Sequence, residues 1–213
     1  MDNSTALCTA TALAVGSAAL YVASVVKRRN KLDFMVAPHS MRGRTAVVTG
    51  GNSGIGRVVA AELSGAGAAT VLACRDLPAG ERVAAQIRKS TKNDEVSVIE
   101  CDLTSRASID SFVDEFEQRH SRCDVLVLNA GVMRSSYNQI DGVEQTFYAN
   151  YLGHWALTQR MLGPLRAAHE ASGEHARVVS VASRLEKRAP PLLRDDKLDL
   201  APHMHSEVGP RYS

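Results

Sequence analysis

Several chemistries are excluded by what this chain lacks. Its 25 basic and 23 acidic side chains leave a formal charge of +2 over 213 residues, too even a balance to suggest a nucleic-acid partner. Cys8, Cys74, Cys101 and Cys123 are widely spaced and never form Cys-x-x-Cys. They read as reduced apolar residues, not as disulfide staples or metal ligands. His203 and His205 have no third ligand at hand, so no metal site is expected. No Ser-His-Asp arrangement stands out, and no short internal repeat is present. With 45% hydrophobic residues at this length, the chain has an ordinary globular composition and enough material for one good core.

Charge is also missing from one end. From Asn3 to Val26 there is no charged residue, and Ala6 to Val26 is mostly Ala, Leu and Val. As a helix rising about 1.5 Å per residue, this stretch spans roughly 30 Å, the thickness of a bilayer core. The cluster Lys27-Arg28-Arg29-Asn30-Lys31 follows at once and favours a cytosolic location for what comes after it. The five residues before the apolar run carry only Asp2, whereas a cleaved signal has its positive charge there. Residues 1–31 are therefore expected to be a retained membrane anchor, through residues 6–26, with its basic flank. A cleaved signal and a soluble helical extension are the alternatives. Residues 32–43, with Asp33, Pro38, His39 and Gly43, read as a linker.

Residues 44–213 read as one domain, which opens on strand then helix, repeated. Apolar runs predict strands at 45–48, 70–73, 96–101, 125–128 and 177–181. Helical spacing predicts helices at 54–64, 78–89 and 108–119, with Ser105 as a cap for the last, and one long helix over 142–168, bent near Gly153. Residues 184–211 lose the pattern at Pro190, Pro191, Pro202 and Pro210 and read as an irregular loop with one short helix. Alternating β and α segments are satisfied by a parallel sheet covered on both faces. The expected fold is a doubly wound α/β sheet of Rossmann type, incomplete at its C-terminal side.

The chemistry begins at Thr49-Gly-Gly-Asn-Ser-Gly-Ile-Gly56. Glycines between a strand and a helix make a tight turn that a phosphate can approach, and the helix presents free N–H groups to the anion. A nucleoside-triphosphate loop is excluded, because Arg57-Val58 stands where Lys-Ser/Thr is required. Arg75 ends the second strand, beside the expected adenosine ribose; a guanidinium there suits a 2′-phosphate, hence NADP. Asp102 ends the third strand, where a carboxylate can accept from the adenine amino group. Asn129-Ala130-Gly131 ends the fourth with a small turn that admits a ribose.

These segments, with Gly80-Glu81, Leu128 to Met133, Asp141-Gly142, Asn150-Tyr-Leu-Gly-His154 and Arg177 to Ser183, resemble the short-chain dehydrogenase/reductase family. The similarity is to its retinol-dehydrogenase-like branch, close to the WW-domain oxidoreductases and the light-dependent protochlorophyllide reductases. The resemblance implies NADP contacts from Gly50, Asn52, Ser53, Gly54, Ile55, Gly56, Arg75, Asp102, Leu103, Asn129, Ala130 and Gly131. It implies a catalytic set in which Asn150 holds a relay water, Ser183 polarises the substrate oxygen and a Tyr exchanges the proton. That Tyr needs a nearby cation to work near neutrality, supplied in the family by a Lys four residues on. Tyr212 is the candidate for the Tyr, but the position due for the Lys lies past Ser213, and the long gap from Ser183 leaves a Tyr beyond the end as the alternative; Tyr137 and Tyr148 have no such Lys either. His154 reads as packed. The resemblance implies an oxidoreductase acting on a lipophilic carbonyl or alcohol, with a dinucleotide-binding protein without turnover as the alternative. The choice of membrane, the endoplasmic reticulum or another organelle, and assembly as a homo-oligomer are left open.

Overall fold

Five apolar runs pair into one parallel sheet. The computed structural model describes residues 37, 39–133 and 137–183, and the backbone of 193–194 and 197–198. The strands are β1 (Thr45–Thr49), β2 (Ala69–Cys74), β3 (Val96–Glu100), β4 (Val125–Leu128) and, later in the chain, β7 (Arg177–Ser180). Their spatial order is β3-β2-β1-β4-β7, with every pairing parallel. The chain moves outward from β1 to β3, then crosses back to β4. The order therefore reverses between β1 and β4, and a crevice opens there at the carboxyl ends of the strands.

Side chains alternate along each inner strand and feed two cores. Val47, Val71, Ile99 and Leu126 point to one face, where α3 (Arg106–Arg119) delivers Ile109, Phe112, Val113 and Phe116. The same core takes Leu157 from α5 (Gly153–Arg160) and Leu165 from α6 (Leu162–Ser172). Ala46, Val48, Leu72, Val98 and Val127 point to the other face. There they meet Ala60 and Leu63 of α1 (Gly54–Gly65) and Val83, Ala84 and Ile87 of α2 (Leu77–Thr91). Both faces of β1 are buried along its whole length, as a central parallel strand requires.

Caps set the helix starts. The Asp76 carboxylate accepts from the Ala79 amide at 2.9 Å to open α2, and the Ser105 hydroxyl accepts from the Ser108 amide at 3.2 Å to open α3. Within the stretch expected to be a linker, Met41 is buried and its amide donates to the Ala66 carbonyl at 3.1 Å.

Two expectations are corrected. The single long helix over 142–168 is instead a series of pieces. Asp141 and Gly142, both with positive φ (52° and 78°), form the turn of a small hairpin between β5 (Gln139–Ile140) and β6 (Val143–Glu144), the role that Asp-Gly favours. Then come α4 (Gln145–Phe147), a π-helical turn at Tyr148–Leu152, α5 and α6. The π-helical turn gives way to α5 at Gly153, where a bend was expected, and a second break falls at Met161, because Pro164 has no amide and its ring excludes the carbonyl four residues earlier. In the second case, the stretch expected to be loop and short helix contains an antiparallel pair, β8 (Leu193–Arg194) with β9 (Lys197–Leu198). Among the described residues no helix is long and apolar enough to cross a membrane; the anchor expected at residues 1–31 lies outside them.

Candidate functional site

The crevice at the strand reversal is a cleft of about 600 Å³, a size that suits an organic cofactor. Its floor is Gly50, Asn52, Ser53, Gly54 and Ile55. Arg75 and Asp76 stand at one end, Asp102, Leu103 and Thr104 beside them, and Asn129 to Val132 with Gln145, Ala149 and Asn150 at the other side. Four consecutive parallel strands thus contribute their exits, or the loops after them, to one groove.

The floor is built for an anion. Ser53 precedes α1 in extended conformation but its side chain makes no cap bond. Bonding along the helix begins with the Arg57 amide, which donates to the Ser53 carbonyl at 3.0 Å. The amides before it have no helical partner, and the positive end of the helix dipole faces the cleft. Gly56 is buried behind the floor and not among its lining residues. A Cβ there would overlap the Gly50 carbonyl oxygen and the Asn129 amide nitrogen, so the turn closes only around glycine.

The charged ends are differently prepared. Arg75 is exposed at the mouth of the cleft and has no ion pair or hydrogen bond among the described residues. Asp102 is held: its Oδ1 accepts from the Thr104 amide at 2.9 Å and the Thr104 hydroxyl at 2.7 Å, which leaves Oδ2 for a ligand. Cys74 and Cys101 also line the cleft. Burial, with the nearby carboxylates of Asp76 and Asp102 respectively, pushes the Cys74 thiol up to about 11 and that of Cys101 up to about 12. Neither is a thiolate near neutrality, so thiol nucleophilic chemistry is unsupported here.

Behind the cleft lies a hydrogen-bond network that sequence reasoning missed. The Thr49 hydroxyl accepts from the amides of Asn129 and Ala130, both at 2.9 Å. It lies 2.9 Å from His154 Nε2, while His154 Nδ1 lies 3.0 Å from the Asn150 carbonyl oxygen. The Asn129 side chain is turned inward, donating to the Thr49 carbonyl at 3.0 Å, so Asn129 offers the cleft its backbone. Asn150 grips the exit of β4: its Oδ1 accepts from the Val132 amide and its Nδ2 donates to the Val132 carbonyl, each at 2.8 Å. Burial lowers the pKa of His154 below the ordinary 6.5, only partly opposed by its bond to Asn150, and so favours the neutral ring.

Of the expected cofactor residues, all but Gly56 line the groove, and Asn150 joins them. Ser183 does not line it. The Val181 amide donates to the Leu128 carbonyl at 3.0 Å, so Ser183, two residues on, emerges at the same edge of the sheet as Asn129. Tyr212 lies outside the described residues. Thr104, Val132, Gln145 and Ala149 line the cleft unannounced; the only signal was their nearness in sequence to Asp102, Gly131 and Asn150.

The comparisons agree with this geometry. Residues 44–193 match the family model described as short chain dehydrogenase. Human retinol dehydrogenase 14 is 38% identical over 164 residues, covering 70% of this chain and 47% of that protein; the chain spans about half the length of such relatives. Among solved structures, the Pseudomonas aeruginosa RhlG/NADP active-site complex matches with a TM-score of 0.60 and 29% identity, over 68% of this chain and 56% of that one. The 3-ketoacyl-(acyl-carrier-protein) reductase from Brucella melitensis complexed with NADH matches with a TM-score of 0.59 and 27% identity, over 71% and 62%. Fold, cleft and similarity converge: this chain belongs to the short-chain dehydrogenase family and resembles its retinol dehydrogenases.

Proposed function

We propose that the chain binds NADP(H) in this cleft and acts as an oxidoreductase on the carbonyl or alcohol group of a lipophilic compound. The observation that carries the reading is the uncapped start of α1 opening on a groove with an unpartnered Arg75 at its mouth. The first-turn amides of α1 would hold the pyrophosphate. Arg75 would pair with the 2′-phosphate, Asp102 Oδ2 would accept from the adenine amino group, and the backbone of Asn129, Ala130 and Gly131 would border the ribose. The bound nicotinamide supplies hydride chemistry. Around it Asn150 would support a proton relay, Ser183 would polarise the substrate oxygen and Tyr212 would exchange its proton. These three roles rest on the family resemblance. The lipophilic substrate is supported by similarity to retinol dehydrogenases, and membrane attachment through residues 6–26, with the globular part on the cytosolic side, by the uncharged run and its basic flank.

Titration of the purified protein with NADPH and NADH tests the cofactor preference. NADPH should bind more tightly. Arg75→Glu should weaken NADPH by about ten- to a hundredfold, the scale of lost charge-assisted hydrogen bonds, and leave NADH within a few fold. Equal losses for both would reduce Arg75 to a surface charge.

A further inference from the structure

We infer that His154 is a positioning residue, whose imidazole ties the Thr49–Asn129–Ala130 turn under the cleft to the backbone of Asn150. The inference rests on the dinucleotide reading of the cleft, and the atoms allow it one form. The Thr49 hydroxyl has one proton and two lone pairs. Its lone pairs are taken by the amides of Asn129 and Ala130. Its proton has two acceptors in reach, His154 Nε2 at 2.9 Å and the Val127 carbonyl at 3.3 Å, and the shorter contact favours Nε2, which must then be unprotonated. On the other side of the ring Nδ1 faces the Asn150 carbonyl, which only accepts. Nδ1 therefore carries the hydrogen.

The opposite tautomer would leave a third donor facing Thr49 and two lone pairs facing each other at Asn150. His154 is only 6% exposed, so water cannot repair that mismatch. One ring orientation thus fixes the Thr49 rotamer, and with it the two amides at the exit of β4. It also fixes a carbonyl inside the π-helical turn that carries Asn150. The turn at Asn129 and Ala130 that borders the cleft and the residue assigned to the relay are held to each other by this ring, which does not itself line the cleft.

The test uses two isosteres and a truncation. His154→Gln places an acceptor near the position of Nε2 and can keep the bond to Thr49. His154→Asn places a donor near Nδ1 and loses it, and His154→Leu loses both. The nitrogen spectrum of the wild-type imidazole should show Nδ1 protonated and Nε2 bare. Without ligand, amide exchange at Asn129 and Ala130 should quicken roughly tenfold in the Asn and Leu variants and stay near wild type in Gln. NADPH affinity, read by nicotinamide fluorescence, should fall in the same order. An Nε2-protonated ring, or equal behaviour of all three variants, would overturn the inference. The spectrum of the wild type decides even if a variant does not fold. Failure of the wild type to bind NADPH would remove the dinucleotide reading instead, while tautomer and amide exchange would still decide the role of His154.

Discussion

One added methyl group should show how tightly the phosphate turn is closed. The Cβ of Gly56→Ala would meet a backbone carbonyl and the inward-turned Asn129 amide, neither of which can step aside alone. The variant should lose about 1–3 kcal/mol of stability and bind NADPH at least about tenfold more weakly. A variant with unchanged melting and affinity would mean that the turn is looser than its contacts say. Protons test a second group of residues. Burial is the leading cause that lowers both His154 and His120 below the ordinary 6.5. In the unfolded chain they protonate near 6.5, so below that pH the unfolded state binds more protons than the folded one. Stability is therefore fully present above about pH 6.5 and is lost as pH falls through the lowered folded values. Thermal melts between pH 7.5 and 5.5 should show Tm falling, with a shallower slope in His154→Gln; a Tm that rises on acidification would contradict this. Arg75 and Asp102 were legible as site residues because each is a charge at the end of an apolar run. Thr49 and His154 were not, because their bond joins positions 105 residues apart and neither looks exceptional among its neighbours.

Elements whose burial pattern is simple were the legible ones. β1 to β4 and α1 to α3 follow period two and period 3.6, and each was expected within about three residues of its observed bounds. Ser105 was expected as a cap and is one. Ser105→Ala should cost about 1 kcal/mol, seen as a lower urea midpoint with unchanged slope; no shift would mean that solvent caps α3 equally well. The stretch 142–168 was misread because β6 and a π-helical turn of only five residues are too short to set a period of their own against the α-helices that follow. The Asp141-Gly142 turn and Pro164 were visible in the sequence, yet Gly142 and Pro164 were absorbed into one long period. That segment delivers Gln145 and Ala149 to the cleft beside the expected Asn150, so the misread element hid two lining residues but not the third.

For the molecule taken together, the crevice follows from strand order. With β1 and β4 adjacent and β2 and β3 beyond β1, the loops at the carboxyl edge must part, and the residues at the parting face the same space. A ligand that fills it binds only the folded state. NADPH at a hundred times its Kd should therefore add about 2.7 kcal/mol, which raises Tm by roughly 5–10 °C for a chain of this size. NADPH that leaves Tm unmoved would mean the groove does not hold it. The decisive observation is a crystal structure of the protein grown with NADPH. The pyrophosphate should lie within hydrogen-bond distance of the first amides of α1, with the 2′-phosphate against Arg75. A dinucleotide bound elsewhere, or a turn filled by the protein's own side chains, would contradict the proposed redox role at its base.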